Sequence, residues 1–179
     1  MRMVARGGRA GRGASAAALA FLVCAGGCSA PVDLKQVLQV TDVSSGYSDA
    51  GIVDGKNKIV PSVSFRLKKS VDDSLRPLSL NLSFKRLPPA GTAVPPGSSG
   101  ETEWDEVFLQ NVQFDGNQSA PLKFTAKNGY TGDPPQSRAD ILKNSFFQDV
   151  RVHVFAKHSA SQWVEIATLD IPRQLLAAH

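Results

Sequence analysis

Metal chemistry needs ligands at constrained spacing, and the 179-residue sequence offers only His153, His158 and His179, with no His-x-x-x-His among them and no cysteine pair beyond residue 28. A metal centre is not expected. His153 alternates with apolar neighbours beside Arg151 and reads as part of a solvated strand face. Asp54-Gly55-Lys56-Asn57 begins like a calcium loop, but the remaining oxygen ligands and the closing Glu are missing, and Asp-Gly is a strong turn former in its own right. Gly97-Ser98-Ser99-Gly100 has neither the Gly-x-Ser-x-Gly spacing nor the strand-to-helix setting of a nucleophilic serine. Neither a phosphate-cradling Gly-x-x-x-x-Gly-Lys nor a dinucleotide Gly-x-Gly-x-x-Gly occurs, so no cofactor is implied. The pattern points away from an enzyme.

Binding chemistry is the alternative, and it would fall to aromatic side chains on loops or an exposed sheet face. Trp104 and Trp163 read as core or rim residues. Tyr47 and Tyr130 sit in stretches rich in Gly, Ser and Asp, which predicts exposed loops and makes these two the candidate binding residues.

The remaining reactive group is a thiol near the N-terminus. Arg2, Arg6, Arg9 and Arg12 precede an apolar run from Ala14 to Val23, which leads into Ala25-Gly26-Gly27 and Cys28, the anatomy of an export signal. An apolar run this short spans roughly 16 Å as a helix against a hydrocarbon core of about 30 Å, too little for a stable crossing. The Arg-Gly tract from Arg6 to Gly13 lacks the aromatics of an RNA-binding segment and is better explained as the basic start of that signal. The sequence has 20 basic and 16 acidic residues; the four arginines of the leader account for the whole excess, leaving 16 of each beyond it. Nucleic acid is not an expected partner.

At Ala25-Gly26-Gly27-Cys28 the chain resembles the lipobox of bacterial lipoproteins, in which small residues precede a cysteine whose sulfur takes a diacylglycerol before the signal is removed. Ala25 stands where that pattern usually has Leu; Cys24 fits less well, because Val23 is bulky for the position before cleavage. The resemblance implies a signal peptide over 1–27, a lipid tether over 28–33 carrying fatty chains such as palmitate on Cys28, and a cell-envelope, membrane-anchored address. Ser29 resembles the residue that sends such proteins to the outer membrane, facing the periplasm. The other reading is an ordinary small-x-small cleavage site that leaves Cys28 as a free thiol. With no second cysteine beyond it, Cys28 can form no internal disulfide, and a thioether would remove an exposed thiol from an oxidising compartment. From Cys28 to Leu34 the tether reaches about 20 Å at most.

Residues 34–179 are predicted to form one domain, and the elements that must position everything above are strands. Val63, Phe65 and Leu67 alternate with polar residues, as do Leu78, Leu80, Leu82 and Phe84, and Val150, Val152, Val154 and Ala156. Further strands are expected over 34–42, 104–112, 121–127 and 162–171. Ser137-Arg138-Ala139-Asp140 before Ile141 and Leu142 carries the signature of a capped helix start and predicts one short helix. Three connections are expected to be loops: 43–58, long but with Tyr47, Ile52 and Val53 to dock it; 87–103, a Pro/Gly/Ser-rich tip; and 128–135, suited to tight turns. About seven strands and almost no helical periodicity predict an all-β, immunoglobulin-like two-sheet β-sandwich. Val63-Ser64-Phe65-Arg66-Leu67 and Leu80-Asn81-Leu82-Ser83-Phe84 resemble strands of FxLYD and related immunoglobulin-like envelope domains, although Phe-x-Leu-Tyr-Asp itself is absent. That likeness implies fold class alone. The expected function is a non-enzymatic, membrane-anchored interaction or assembly module with an envelope protein partner; the alternative is a glycan- or small-molecule-binding module using Tyr47 and Tyr130.

Overall fold

The computed structural model describes residues 32–70 and 75–177. The expected signal peptide over 1–27, Cys28 and most of the expected tether lie outside the described residues. Two antiparallel sheets, of six and four strands, enclose one core.

The first sheet is built on a long hairpin. A single helical turn, α1 (Leu34–Val37), is capped by Asp33, whose side chain accepts from Lys35 N at 3.0 Å, and leads into β1 (Leu38–Val53). Asp54 and Gly55 turn the chain with φ of 52° and 77°, the positive pair that a two-residue hairpin requires, and β2 (Lys56–Lys69) returns with Val53 opposite Lys56 and Leu38 opposite Lys69. The other edge of β2 takes three short strands in succession: β6 (Gln118–Ser119), β7 (Leu122–Thr125) and β8 (Tyr130–Gly132); β5 (Phe114–Asp115) adds outside β6. The second sheet runs β10 (Val164–Ile171), β9 (Val150–His158), β3 (Leu78–Arg86), β4 (Thr102–Leu109). The helix α2 (Arg138–Leu142) crosses from the first sheet to the second.

Alternation reads correctly wherever a strand faces the core on one side only. Val63, Phe65 and Leu67 of β2, Leu78, Leu80, Leu82 and Phe84 of β3, and Val150, Val152, Val154 and Ala156 of β9 are all buried between the sheets. Each large apolar side chain removed from water in this way contributes about 1.5–3 kcal/mol.

Three sequence expectations are corrected. The stretch 43–58 is not a loop but the far half of the β1–β2 hairpin, and Tyr47 lies within β1, fully buried, where it makes no exposed binding contact. Register shifts between Thr41 and Ser44 and between Asp49 and Ile52, with Asp42 and Gly51 at positive φ, interrupt the period of two and hide the strand. The turn-rich segment 128–135 contains β8, paired through Tyr130 opposite Ile59. The strand count is ten among the described residues rather than about seven, because β5, β6 and β8 are too short to show a period.

The hairpin and the second sheet together define two ends of the sandwich. At one lie the chain's entry at Asp33, α1, the end of β2 and the start of β10, where α1 packs. At the other lie the Asp54–Gly55 turn, α2, the end of β8 and the start of β9. Among the described residues, no helix is long and apolar enough to cross a membrane.

Candidate functional site

The far end is organised by α2. Ser137 and Asp140 form a reciprocal cap: Asp140 N donates to Ser137 Oγ at 3.2 Å and Ser137 N donates to Asp140 Oδ2 at 3.1 Å. Ser137 Oγ also donates to Asp140 Oδ2 at 2.6 Å, and this bond first, then the one from Ser137 N, draws Asp140 below the usual carboxylate range. Asn57 Nδ2 donates to Gln136 O at 2.7 Å and Arg138 Nε pairs with Asp49 Oδ1 at 3.0 Å, tying the helix to the hairpin. Gly132 lets it settle onto β8, since a Cβ there would meet Gln136 Oε1 and come within 2.8 Å of Ile141 Cγ1. With Ile141 and Leu142 turned inward, the chain leaving α2 places Phe147 in the core and Phe146 in solvent, 90 % exposed.

Tyr130 and Phe147 meet beneath that ring with centroids 4.2 Å apart. Tyr47 lies 5.2 Å from Phe147 and 6.4 Å from Tyr130, and Trp104 lies 5.0 Å from Tyr130, so the two tyrosines expected in separate loops belong to one aromatic cluster. Tyr130 Oη donates to Gln148 O at 2.7 Å. Tyr47 Oη is buried with no hydrogen-bond partner among the described residues, and burial first, then the nearby Tyr130 and Asp149, pushes its phenol far above its ordinary value. Arg173 caps the cluster, its guanidinium 4.9 Å from the Phe147 ring centroid and forked onto Asp149 at 2.6 and 3.1 Å.

Tyr130, Thr131, Ile141, Asn144, Phe146 and Phe147 line a hollow of about 180 Å³. That is below the roughly 300 Å³ at which pockets begin to enclose a drug-sized ligand. It suits a single apolar side chain inserted from outside. Ile52, on the hairpin tip at the same end, is 68 % exposed and adds apolar surface.

A second cluster covers the outer face of the β10-β9-β3-β4 sheet. His153 is not solvated as the sequence suggested: its side chain is 16 % exposed, with Nδ1 2.7 Å from Glu165 Oε1 and Nε2 2.9 Å from Glu101 Oε2. Glu101, in the Pro/Gly/Ser-rich segment before β4, folds over this face so that its own side chain is 5 % exposed, and it also takes Arg151 Nη1 at 3.1 Å. Arg151 forks onto Asp170 at 2.7 and 3.3 Å. Thr168 Oγ1 donates to Glu165 at 2.7 Å; that bond, then the one with His153, holds Glu165 below the usual carboxylate range. The hollow at α2 is lined by none of these groups. They form an ion-pair ladder across β9, β10 and the segment before β4.

Phe146 had one sequence signal, a Phe-Phe pair just after a capped helix, where consecutive residues cannot both face inward. Glu101 had none, because its partners Arg151 and His153 lie 50 and 52 positions away. Among the described residues no group of three His, Cys, Asp or Glu side chains is arranged to hold a metal ion. Cys28 lies outside the described residues. Comparison with models of known families, with curated proteins and with solved structures finds no match to this chain.

Proposed function

We propose that this chain is an envelope lipoprotein, held to a membrane through acylated Cys28, whose sandwich acts as a non-enzymatic module that docks an envelope protein partner at the α2 end. The observation that carries this reading is Phe146, almost fully exposed over a hollow walled by Tyr130 and Phe147. A large apolar ring held in water at the rim of an aromatic-lined hollow is the arrangement of an interface anchor. Support also comes from its position, at the opposite end of the sandwich from the chain's entry at Asp33, where a tethered domain would present it away from the bilayer. The outer membrane, periplasmic face, is the address we propose from Ser29.

The glycan or small-molecule alternative is weakened, since Tyr47 is buried and the hollow beside Tyr130 is small. The test is a photo-crosslinking amino acid placed at position 146 and, separately, at position 123 on β7, which does not line the hollow, in cells expressing the full chain. One discrete adduct from position 146, absent from position 123 and lost when Ile52→Asp is added, is expected. Equal labelling from both positions would remove the docking assignment. Mass spectrometry of the mature N-terminus reads the anchor independently.

A further inference from the structure

Among the described residues, Arg66, Arg138, Arg151 and Arg173 each pair with a carboxylate and Arg76 donates to Phe114 O, but Arg86 has neither a hydrogen bond nor an ion pair. Its place in β3 makes that unusual. Leu78, Leu80, Leu82 and Phe84 point into the core, and Arg86, two residues on, lies on the same face where the strand leaves it, opposite Val150 at the α2 end. Phe84 faces Asp105 and Lys85 faces Glu103, so a bulge leaves Trp104 without a partner on β3. The Trp104 ring centroid lies 5.5 Å from the guanidinium carbon, and Asn128 Nδ2 fixes the backbone there by donating to Trp104 O at 2.6 Å. A ring face attracts the charge but gives the N–H groups no acceptor, and Arg86 Nε is buried without one. The neighbouring acids are committed: Asp149 to Arg173, Asp105 to the backbone N–H groups of Lys127 and Asn128, and Glu103 to Ser83 and Lys85. All residues that adjoin Arg86 in β3, β4, β8 and β9 are described ones.

Tyr130 joins this group to the hollow, its ring 5.0 Å from Trp104 on one side and 4.2 Å from Phe147 on the other. Burial pushes the Tyr130 phenol up, and Gln148 and then Arg86 draw it partly back, which puts the guanidinium within electrostatic reach of the hollow's wall. We infer that Arg86 is a carboxylate-binding point beside the α2-end hollow, on which the docked partner sets an acidic side chain. The partner half of this rests on the docking reading above; the carboxylate half does not. A carboxylate presents two oxygens in the planar arrangement that a guanidinium fork accepts, and its single charge equals that of the one cation present. A phosphate would call for a second cation, and Arg173 is already held by Asp149. An apolar side chain in the hollow and an acid reaching past Tyr130 then give the interface a direction as well as an anchor, since a charge pair fixes register.

Trp163→Phe leaves Trp104 as the single tryptophan of the chain and a reporter beside Arg86. The full chain carrying that change, in non-ionic detergent, is titrated with sodium benzoate, with its neutral isostere benzamide and with inorganic phosphate at constant ionic strength, following Trp104 emission. A saturable change with benzoate alone is expected, weakened by about ten-fold or more in Arg86→Gln. Arg86→Lys, which keeps the charge but not the fork, should lose several-fold, so the test stands even where Arg86→Gln does not fold. Equal responses to benzoate and benzamide, a stronger response to phosphate, or a benzoate response unchanged in these variants would overturn the inference. In cells, the adduct from position 146 should fall by about ten-fold with Arg86→Glu and little with Lys85→Glu, the same charge reversal on the strand's outer face. Equal losses would overturn the acidic-partner assignment. Benzoate binding with no adduct from position 146 would instead count against the docking reading and leave the carboxylate site standing.

Discussion

Tyr47 shows how a side chain's environment can reverse what its type suggests. Its ring fills the core against Phe147 and Tyr130, but its hydroxyl is buried without a partner. Removing an unsatisfied polar atom while keeping the ring should relieve a desolvation penalty. Tyr47→Phe is therefore expected to leave stability unchanged or raise it by about 1 kcal/mol, whereas Tyr47→Ala should cost about 3–5 kcal/mol, both read from urea denaturation midpoints. Glu165 illustrates the opposite case, a carboxylate drawn below its ordinary value by Thr168 and His153. A group whose pKa is lower folded than unfolded stabilises the fold above the unfolded value, about 4.5, and loses that contribution as the pH falls toward the folded one. The wild-type chain should thus lose stability between pH 5 and more acid solution in part through this group. Thr168→Val removes the largest cause of the shift, so the difference between denaturation midpoints at about pH 7 and about pH 3 should be smaller in that variant. An unchanged difference would mean that Thr168 does not set the acid response.

At the scale of elements, the hairpin turn and the α2 cap decide where the candidate site forms. Gly55 at φ 77° supports the two-residue connection, and a β-branched residue there would be strained. Gly55→Val is expected to destabilise the domain by more than about 1 kcal/mol, with the loss visible as a lower thermal midpoint. Ser137→Ala removes the hydroxyl half of the capping box and should cost about 1 kcal/mol. Because α2 carries the chain into Phe146 and Phe147, the same variant should also reduce crosslinking from position 146 by more than a matched destabilisation elsewhere does. The regular strands and this helix were legible, since β2, β3 and β9 bury every second residue and Ser137 stands three before Asp140. The far half of β1 was not. Ser44, Ser45, Gly46, Ser48 and Asp49 lack strand propensity, and their place in the sheet comes from hydrogen bonding to β2 across two bulges.

Over the whole sandwich, equal numbers of acidic and basic residues conceal separate charged surfaces. β2 has five basic residues and no acid, while β4 has Glu103, Asp105 and Glu106 and no base. A net charge of zero therefore excludes little about local electrostatics, because these two strands lie in different sheets. The C-terminal segment has a part in closing the fold: Tyr47 N donates to Gln174 O at 2.8 Å and Leu176 N donates to Tyr47 O at 2.9 Å, which covers the otherwise open edge of β1. Truncation after Arg173 should expose that edge and promote self-association, measurable by light scattering; a truncated chain that stays monomeric would show that the edge is protected by other means.

By itself the sequence determined the β character of the domain, the capped helix and the Asp54–Gly55 turn, because each is written in residues close together along the chain. Only the tertiary structure decided that Tyr47 is buried, that Tyr130 and Phe147 wall a hollow under Phe146, and that Glu101 reaches His153. Such pairings span from about 17 to more than 50 positions, and they form because two sheets must bury a common apolar layer, which brings distant segments together with no local sign in either.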